Sequence, residues 1–303
     1  MGRAAKSLAV SAVIVIAILL SAITHIGTQT LASSGQLRIV ATFFPLYDWA
    51  KNVVGDKGSV TNLTPAGIDP HDLDPTPQDI SMILNSHVFL YNGIGFEPWV
   101  EKVIPMIDRA KTVVVDVSLG VDIMRDRFGR GDPHFWLDPL LVINAVENIE
   151  LGIQQADPVN AAYYSTNVQT YIGRLRAVHL AFLSNMTSVR ARSFITFHEA
   201  FGYWKRRYNL TEIGIYGADP EGEPSAAHMQ DLIRLAREQH ITIVLASNLD
   251  DPRWCQVLAD QLKGKVRILD PLEGPTAGQM QTGNYTYIGR LYYNIEILKE
   301  TLA

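Results

Sequence analysis

The feature that most limits the fold is an alternation that occurs twice along the chain. Short apolar or β-branched runs at residues 37–41, 59–63, 87–91 and 112–117 are separated by segments of helical spacing at 46–54, 77–85 and 97–107. The same rhythm returns later. Strand-like runs at 193–197, 211–216, 241–246 and 265–269 alternate with helical segments at 200–208, 225–239, 253–262 and 284–302. Such alternation predicts βαβ units and parallel sheets. Between the two series, from Asp138 to Ser188, no strand signal appears. Residues 139–155 read as one helix. Asp157-Pro158 then reads as a cap followed by a first-turn proline. From there to Met186 no further proline occurs, and Tyr164, Val168, Tyr171, Ile172, Leu175, Val178, Leu180 and Phe182 recur at helical spacing. A helix of about 30 residues spans about 45 Å, longer than one lobe needs. The expected fold is therefore α/β: two (βα)n lobes with parallel sheets, joined by a long rigid helix. The expected boundaries are a leader at 1–35, a first lobe at 36–156, the connecting helix at 157–189 and a second lobe at 190–303.

The leader has its own logic. Arg3 and Lys6 precede an uncharged apolar run from Leu8 to Thr24, and Ser33, Ser34 and Gly35 follow. A positive start, an apolar stretch and small residues predict export. The run also approaches the roughly 20 apolar residues that span a bilayer, so a cleaved signal and an uncleaved anchor both stand. Cys255 is the only cysteine, which excludes a disulfide framework. Asn-x-Ser/Thr sequons at Asn62, Asn185, Asn209 and Asn284 are compatible with export. With a net charge of −5 no face needs to be basic, so nucleic acid is not an expected partner.

One tripeptide occurs twice, as Asp69-Pro70-His71 and Asp132-Pro133-His134, each in a loop after a predicted strand. Each is followed by Leu-Asp-Pro, at Leu73-Asp74-Pro75 and Leu137-Asp138-Pro139. Proline stiffens the backbone that carries each imidazole, and a metal ligand gains from being held in place. His198 directly follows the strand at 193–197, and Asp270 directly follows the strand at 265–269. Open α/β sheets bind ligands at the carboxyl ends of their strands. His71, His134, His198 and Asp270 are thus the candidate ligands of one metal ion in the cleft between the lobes. Asp69, Asp74, Asp132, Asp138 and Glu199 are candidates for orienting those ligands. Three imidazoles and one carboxylate suit zinc, with manganese as the alternative. His25, His87, His179, His228 and His240 read as structural. His198-Glu199 starts like a metalloprotease H-E-x-x-H motif, but Gly202 stands where the second histidine is needed.

These residues resemble the zinc/manganese class of solute-binding proteins of ABC transporters, the zinc-uptake type. The similarity is carried by Ala41-Thr-Phe-Phe-Pro-Leu-Tyr47, Pro70-His-Asp-Leu-Asp-Pro-Thr-Pro77, Asn92-Gly-Ile-Gly-Phe-Glu-Pro-Trp99, Asp132-Pro-His-Phe-Trp-Leu-Asp-Pro139 and Phe197-His-Glu-Ala-Phe-Gly-Tyr-Trp204. The resemblance implies two pseudo-symmetric lobes with a metal site between them. It also implies a membrane permease as partner, with its ATPase subunit behind it, an extracytoplasmic location and a monomeric protein without catalysis. It places a histidine at His198, where manganese binders of the class carry a glutamate. Two departures stand out. Residues 124–131 hold no histidine, where many zinc members carry a histidine-rich loop, and no lipid-anchoring cysteine lies near the N-terminus. Two other readings remain at this point: a manganese or iron binder on the same fold, and a zinc hydrolase with Glu199 as base. Cell adhesion is a family-level possibility.

Overall fold

A computed structural model describes residues 36–126, 128–217 and 222–303; the leader expected at 1–35 lies outside them. Strands β1 (Leu37–Ala41), β2 (Gly58–Asn62), β3 (Val88–Tyr91) and β4 (Val113–Asp116) form one sheet in the order β2-β1-β3-β4. Strands β5 (Ser193–His198), β6 (Thr211–Tyr216), β7 (Ile243–Ala246) and β8 (Lys265–Ile268) form a second, in the order β6-β5-β7-β8. Every pairing is parallel. Parallel strands are covered on both faces and read as unbroken apolar runs. β7 shows this, since all of Ile243–Ala246 is buried. In each sheet the order reverses beside the first strand of its series.

The helices follow the expected spacing, with instructive exceptions. α1 (Phe44–Val54), α2 (Pro77–Leu84), α3 (Val100–Val103) and α4 (Leu141–Ala156) belong to the first half. α2 starts on a capping box between Thr76 and Asp79. The helix expected at 97–107 is only the short α3 and a 3-10 turn at Ile104–Met106. Pro105 lacks the N–H that a continuing α-helix would use. α5 (Ala161–Met186) is the long helix, at 26 residues rather than about 30, or about 39 Å. Its start slips because Pro158–Asn160 forms a separate 3-10 turn. Leu180 lies off the buried stripe of α5 and is 62% exposed. In the second half come α6 (Gly202–Tyr208), α7 (Ala226–Glu238), α8 (Arg253–Leu262), α9 (Ala277–Thr282) and α10 (Tyr287–Thr301). α9 was not expected; it rests on a capping box between Thr276 and Gln279. Among the described residues no helix is long and apolar enough to cross a membrane.

The two sheets share one apolar core. The largest buried cluster joins Ile39 and Val88 of the first sheet to Phe194 and Leu245 of the second. Trp49, Trp136, Trp204 and Tyr287 lie inside it, together with the inward face of α5. α5 packs against α1, α4 and α10. Smaller clusters cover the outer faces, around Phe89 and Ile83 on one side and Val244 and Leu258 on the other.

Candidate metal centre

The repeated Asp-Pro-His is a capped turn. The Asp69 carboxylate accepts from the His71 N–H at 2.8 Å, and His71 sits in a 3-10 turn, Pro70–Asp72. The Asp132 carboxylate accepts from the His134 N–H at 3.0 Å, and His134 opens the 3-10 turn His134–Leu137. Aspartate mimics a backbone turn by bonding two residues on, and proline presets the next φ. The motif thus aims one imidazole by local chemistry alone. His71 lies in the loop after β2, and His134 in the loop after β4. His198 is the last residue of β5. Glu212 on β6 fixes the turn that follows, accepting from Thr196 Oγ1, Ala200 N and Phe201 N. Burial pushes the Glu212 carboxyl up to about 8, against those bonds and the nearby His198.

These three imidazoles meet one carboxylate, that of Glu273, in the loop between β8 and α9. Glu273 Oε1 lies 3.7 Å from His71 Nε2, 3.8 Å from His134 Nε2 and 3.5 Å from His198 Nε2. One ligand atom from each of the four residues falls within 4.8 Å of the others. His134, His198 and Glu273 are buried and His71 is partly so. All three Nε2 atoms and both Glu273 oxygens are buried without a hydrogen-bond partner. Buried polar groups are almost always paired, so a cluster of orphans calls for a missing partner common to all of them. A tetrahedral zinc with bonds of 2.0–2.2 Å sets its donors about 3.4 Å apart. Three nitrogens and one oxygen at 3.5–3.8 Å are near that spacing. Phe96 and Trp136 wall the site, their rings 4.8 Å from His71 and 5.0 Å from His134.

The structure does not bring Asp270 to this cluster. Its carboxylate faces inward, where Arg290 Nε donates at 2.7 Å, Tyr285 Oη at 2.9 Å and the Leu272 N–H at 2.8 Å. Those donors saturate it, and the carboxylate that converges with the three imidazoles is that of Glu273, three residues on. Sequence reasoning missed Glu273 because it opens a stretch with no motif and no regular spacing. Of the expected orienting residues, Asp132 lies 2.8 Å from His134 Nδ1. Asp69 bonds the His71 backbone rather than its ring. Asp138 is instead tied to Arg207 Nε at 2.8 Å and to the Leu140 N–H. Asp74 and Glu199 are exposed, and no hydrogen bond joins either to the cluster. Three of the histidines read as structural have ordinary side-chain partners, and His240 lies outside the cluster. His87 Nδ1 accepts from Arg38 N, His179 meets Tyr208 Oη and His228 meets the Ile215 carbonyl. His25 lies outside the described residues.

The electrostatics bind the four groups to one another. Burial pulls His198 down, but the Glu273 and Asp250 carboxylates outweigh it and hold the imidazole well above the usual histidine range. His71 is raised in the same way, burial being outweighed by Glu273 and then Asp69. Burial alone would raise Glu273, yet His198 and His71 drive it far below the usual carboxylate range. The site is a concentrated carboxylate facing imidazoles, an arrangement that a divalent cation can enter by displacing protons.

Residues 39–301 match the family described as the zinc-uptake complex component A, periplasmic, or ZnuA. The high-affinity zinc uptake system protein ZnuA of Bacillus subtilis is 32% identical over 281 residues, covering 88% of each chain. The crystal structure of the metal-dependent lipoprotein YcdH of Bacillus subtilis superposes with a TM-score of 0.79 at 34% identity, over 88% of this chain and 99% of that one. The Zn(II)-bound ZnuA-like domain of Streptococcus pneumoniae AdcA gives a TM-score of 0.78 at 29% identity, over 88% of this chain and 99% of that one. The matched span takes in His71, His134, His198 and Glu273. The chain belongs to the ZnuA family of zinc-uptake proteins.

Proposed function

We propose that this chain captures one zinc ion outside the cytoplasm on His71, His134, His198 and Glu273, and delivers it to an ABC-type importer. The observation that carries the reading is the cluster itself: four converging buried side chains whose metal-facing atoms have no other partner. Relatives named for zinc uptake and zinc binding support it. The partner is a membrane permease with its ATPase, and the protein works as a monomer at the extracytoplasmic face. Residues 1–35 serve as signal or anchor, residues 36–156 and 190–303 as the lobes, and residues 157–189 as their connection.

The donor set favours zinc over manganese, which is harder and prefers more carboxylate oxygen. It also favours binding over hydrolysis. A zinc hydrolase keeps a coordination position open for water, whereas Glu273 closes the fourth position here. Glu199, the base that a hydrolase would need, is exposed and is not among the converging side chains. The test is calorimetric titration of the purified chain with zinc, manganese, copper and nickel. One tight zinc per chain is expected. Two equally tight zinc ions, or manganese bound ahead of zinc, would overturn the reading.

A further inference from the structure

Asp250 faces His198 but is not one of the four converging side chains. It lies in the loop after β7, and β7 is the neighbour of β5 at the point where strand order reverses. Loops diverge at such a point and line a crevice between them. His198 ends β5, so the loop after β7 meets it from the side. Asp250 Oδ2 lies 3.5 Å from His198 Nδ1. Both atoms are buried, and neither has a hydrogen-bond partner. Asn248, two residues earlier, donates from Nδ2 to the Gly274 carbonyl at 2.9 Å. That bond fastens the Asp250 loop to the residue next to Glu273. The His198 ring therefore stands between two carboxylates, Glu273 at 3.5 Å from Nε2 and Asp250 at 3.5 Å from Nδ1. Glu212, the other buried carboxylate near His198, is already engaged by Thr196, Ala200 and Phe201.

An imidazole that gives Nε2 to a metal carries its proton on Nδ1 and needs an acceptor there. For His134 that acceptor is Asp132 at 2.8 Å. We infer that Asp250 is the positioning residue of His198: it accepts the Nδ1 proton, fixes the tautomer and holds Nε2 on the zinc. This rests on the proposed zinc site. A charge-assisted bond is 2.7–2.9 Å long, so with zinc bound the 3.5 Å between Nδ1 and Oδ2 would have to shorten by less than about 1 Å to make one.

Asp250→Ala, Asp250→Asn and the unchanged protein are compared by zinc titration against a competing chelator and by ring nitrogen NMR of the zinc-loaded forms. Asp250→Ala loses about 10–100-fold in zinc affinity. Asp250→Asn keeps an acceptor oxygen and recovers part of it. The unchanged protein shows His198 bound through Nε2, with an Nδ1 proton protected from exchange. That protection disappears in Asp250→Ala while the His134 signal stays. Unchanged affinity and unchanged ring signals in Asp250→Ala would overturn the inference. So would a His198 bound through Nδ1, which the unchanged protein reveals even if the variants fail to fold. A protein that takes no zinc at all would overturn the proposed function instead.

Discussion

Asp270 and Glu273 are three residues apart, both fully buried, and opposite in what they face. Asp270 is spent on Arg290, Tyr285 and a backbone N–H. Glu273 has no hydrogen-bond donor of its own and looks at three imidazoles. Removing one partner of a buried ion pair costs about 3–5 kcal/mol. Asp270→Asn should therefore lower the melting temperature sharply, while Glu273→Ala should cost more in zinc affinity than in stability. Thermal unfolding and zinc titration of the two variants decide it; abolished binding in Asp270→Asn with normal binding in Glu273→Ala would reverse the assignment. The contrast also shows what could be read from the sequence. Three histidines were legible because each owes its aim to local chemistry: an aspartate-capped proline turn twice, and a strand end once. The carboxylate was not. Leu272, between the two acids, adopts a φ of 63°, a left-handed turn that a leucine does not advertise. That turn lies between the inward-held Asp270 and Glu273. Titration supplies a second prediction. His71 and His198 are raised in the folded, metal-free protein. Their contribution to its stability is thus full below the unfolded histidine value of about 6.5 and is lost as pH rises through the raised values. Zinc needs the same nitrogens without protons, so its affinity must fall as pH drops through that window, beginning above about 6.5. Melting curves with and without zinc at several pH values should diverge on the alkaline side and converge on the acid side. A zinc affinity flat across that window would contradict the coupling.

The elements that carry the converging side chains are held very differently. The turn His134–Leu137 is stitched to the second half of the chain. Tyr203 Oη donates to the Asp132 carbonyl at 2.7 Å and Trp204 Nε1 to the Leu137 carbonyl at 2.8 Å. Tyr287 Oη donates to the Trp136 carbonyl, Trp136 Nε1 to the Pro271 carbonyl and Arg207 to Asp138. The loop that carries His71 crosses to the second half through one backbone bond, Gly67 N to the Pro275 carbonyl at 2.8 Å, and Ile68 beside it is 44% exposed. Segments with few buried contacts open first. Hydrogen exchange after zinc removal should therefore rise at residues 65–75 far more than at 132–141. Equal gains in the two segments would mean that His134 is not the anchored ligand. At this scale the sequence was most readable where periodicity was long, as in α5 and the strands. It failed where one residue outweighed the pattern: Pro105 cut α3 short, and Thr276 with Gln279 started α9 in a stretch that carries no apolar repeat.

For the whole molecule, the shared core sets how far the two sheets can part. A wide opening of the cleft would have to pull Trp136, Trp204 and Tyr287 out of the cluster that joins the sheets. Each such side chain is worth about 1.5–3 kcal/mol buried. The hydrogen bonds of the His134 segment add about 1 kcal/mol each. Together these come to about 10 kcal/mol, which at 1.36 kcal/mol per factor of ten leaves about one open molecule in ten million. A ligand can move such a balance only by its difference in affinity for the two states. Zinc touches only the cleft, so its loss does not offset the exposure of the core. α5 adds to the resistance, since its 26 residues pack against α1, α4 and α10 without a break. If zinc binds as proposed, its release is then expected through the His71 loop, with the sheets keeping their places. Two measurements follow from the one core. Calorimetric unfolding of the metal-free protein should show a single transition rather than one for each sheet. Solution scattering of the zinc-free and zinc-loaded forms should nearly superimpose; a rotation on the order of tens of degrees between the halves, as in hinge-closing binding proteins, would show that the aromatic core parts after all.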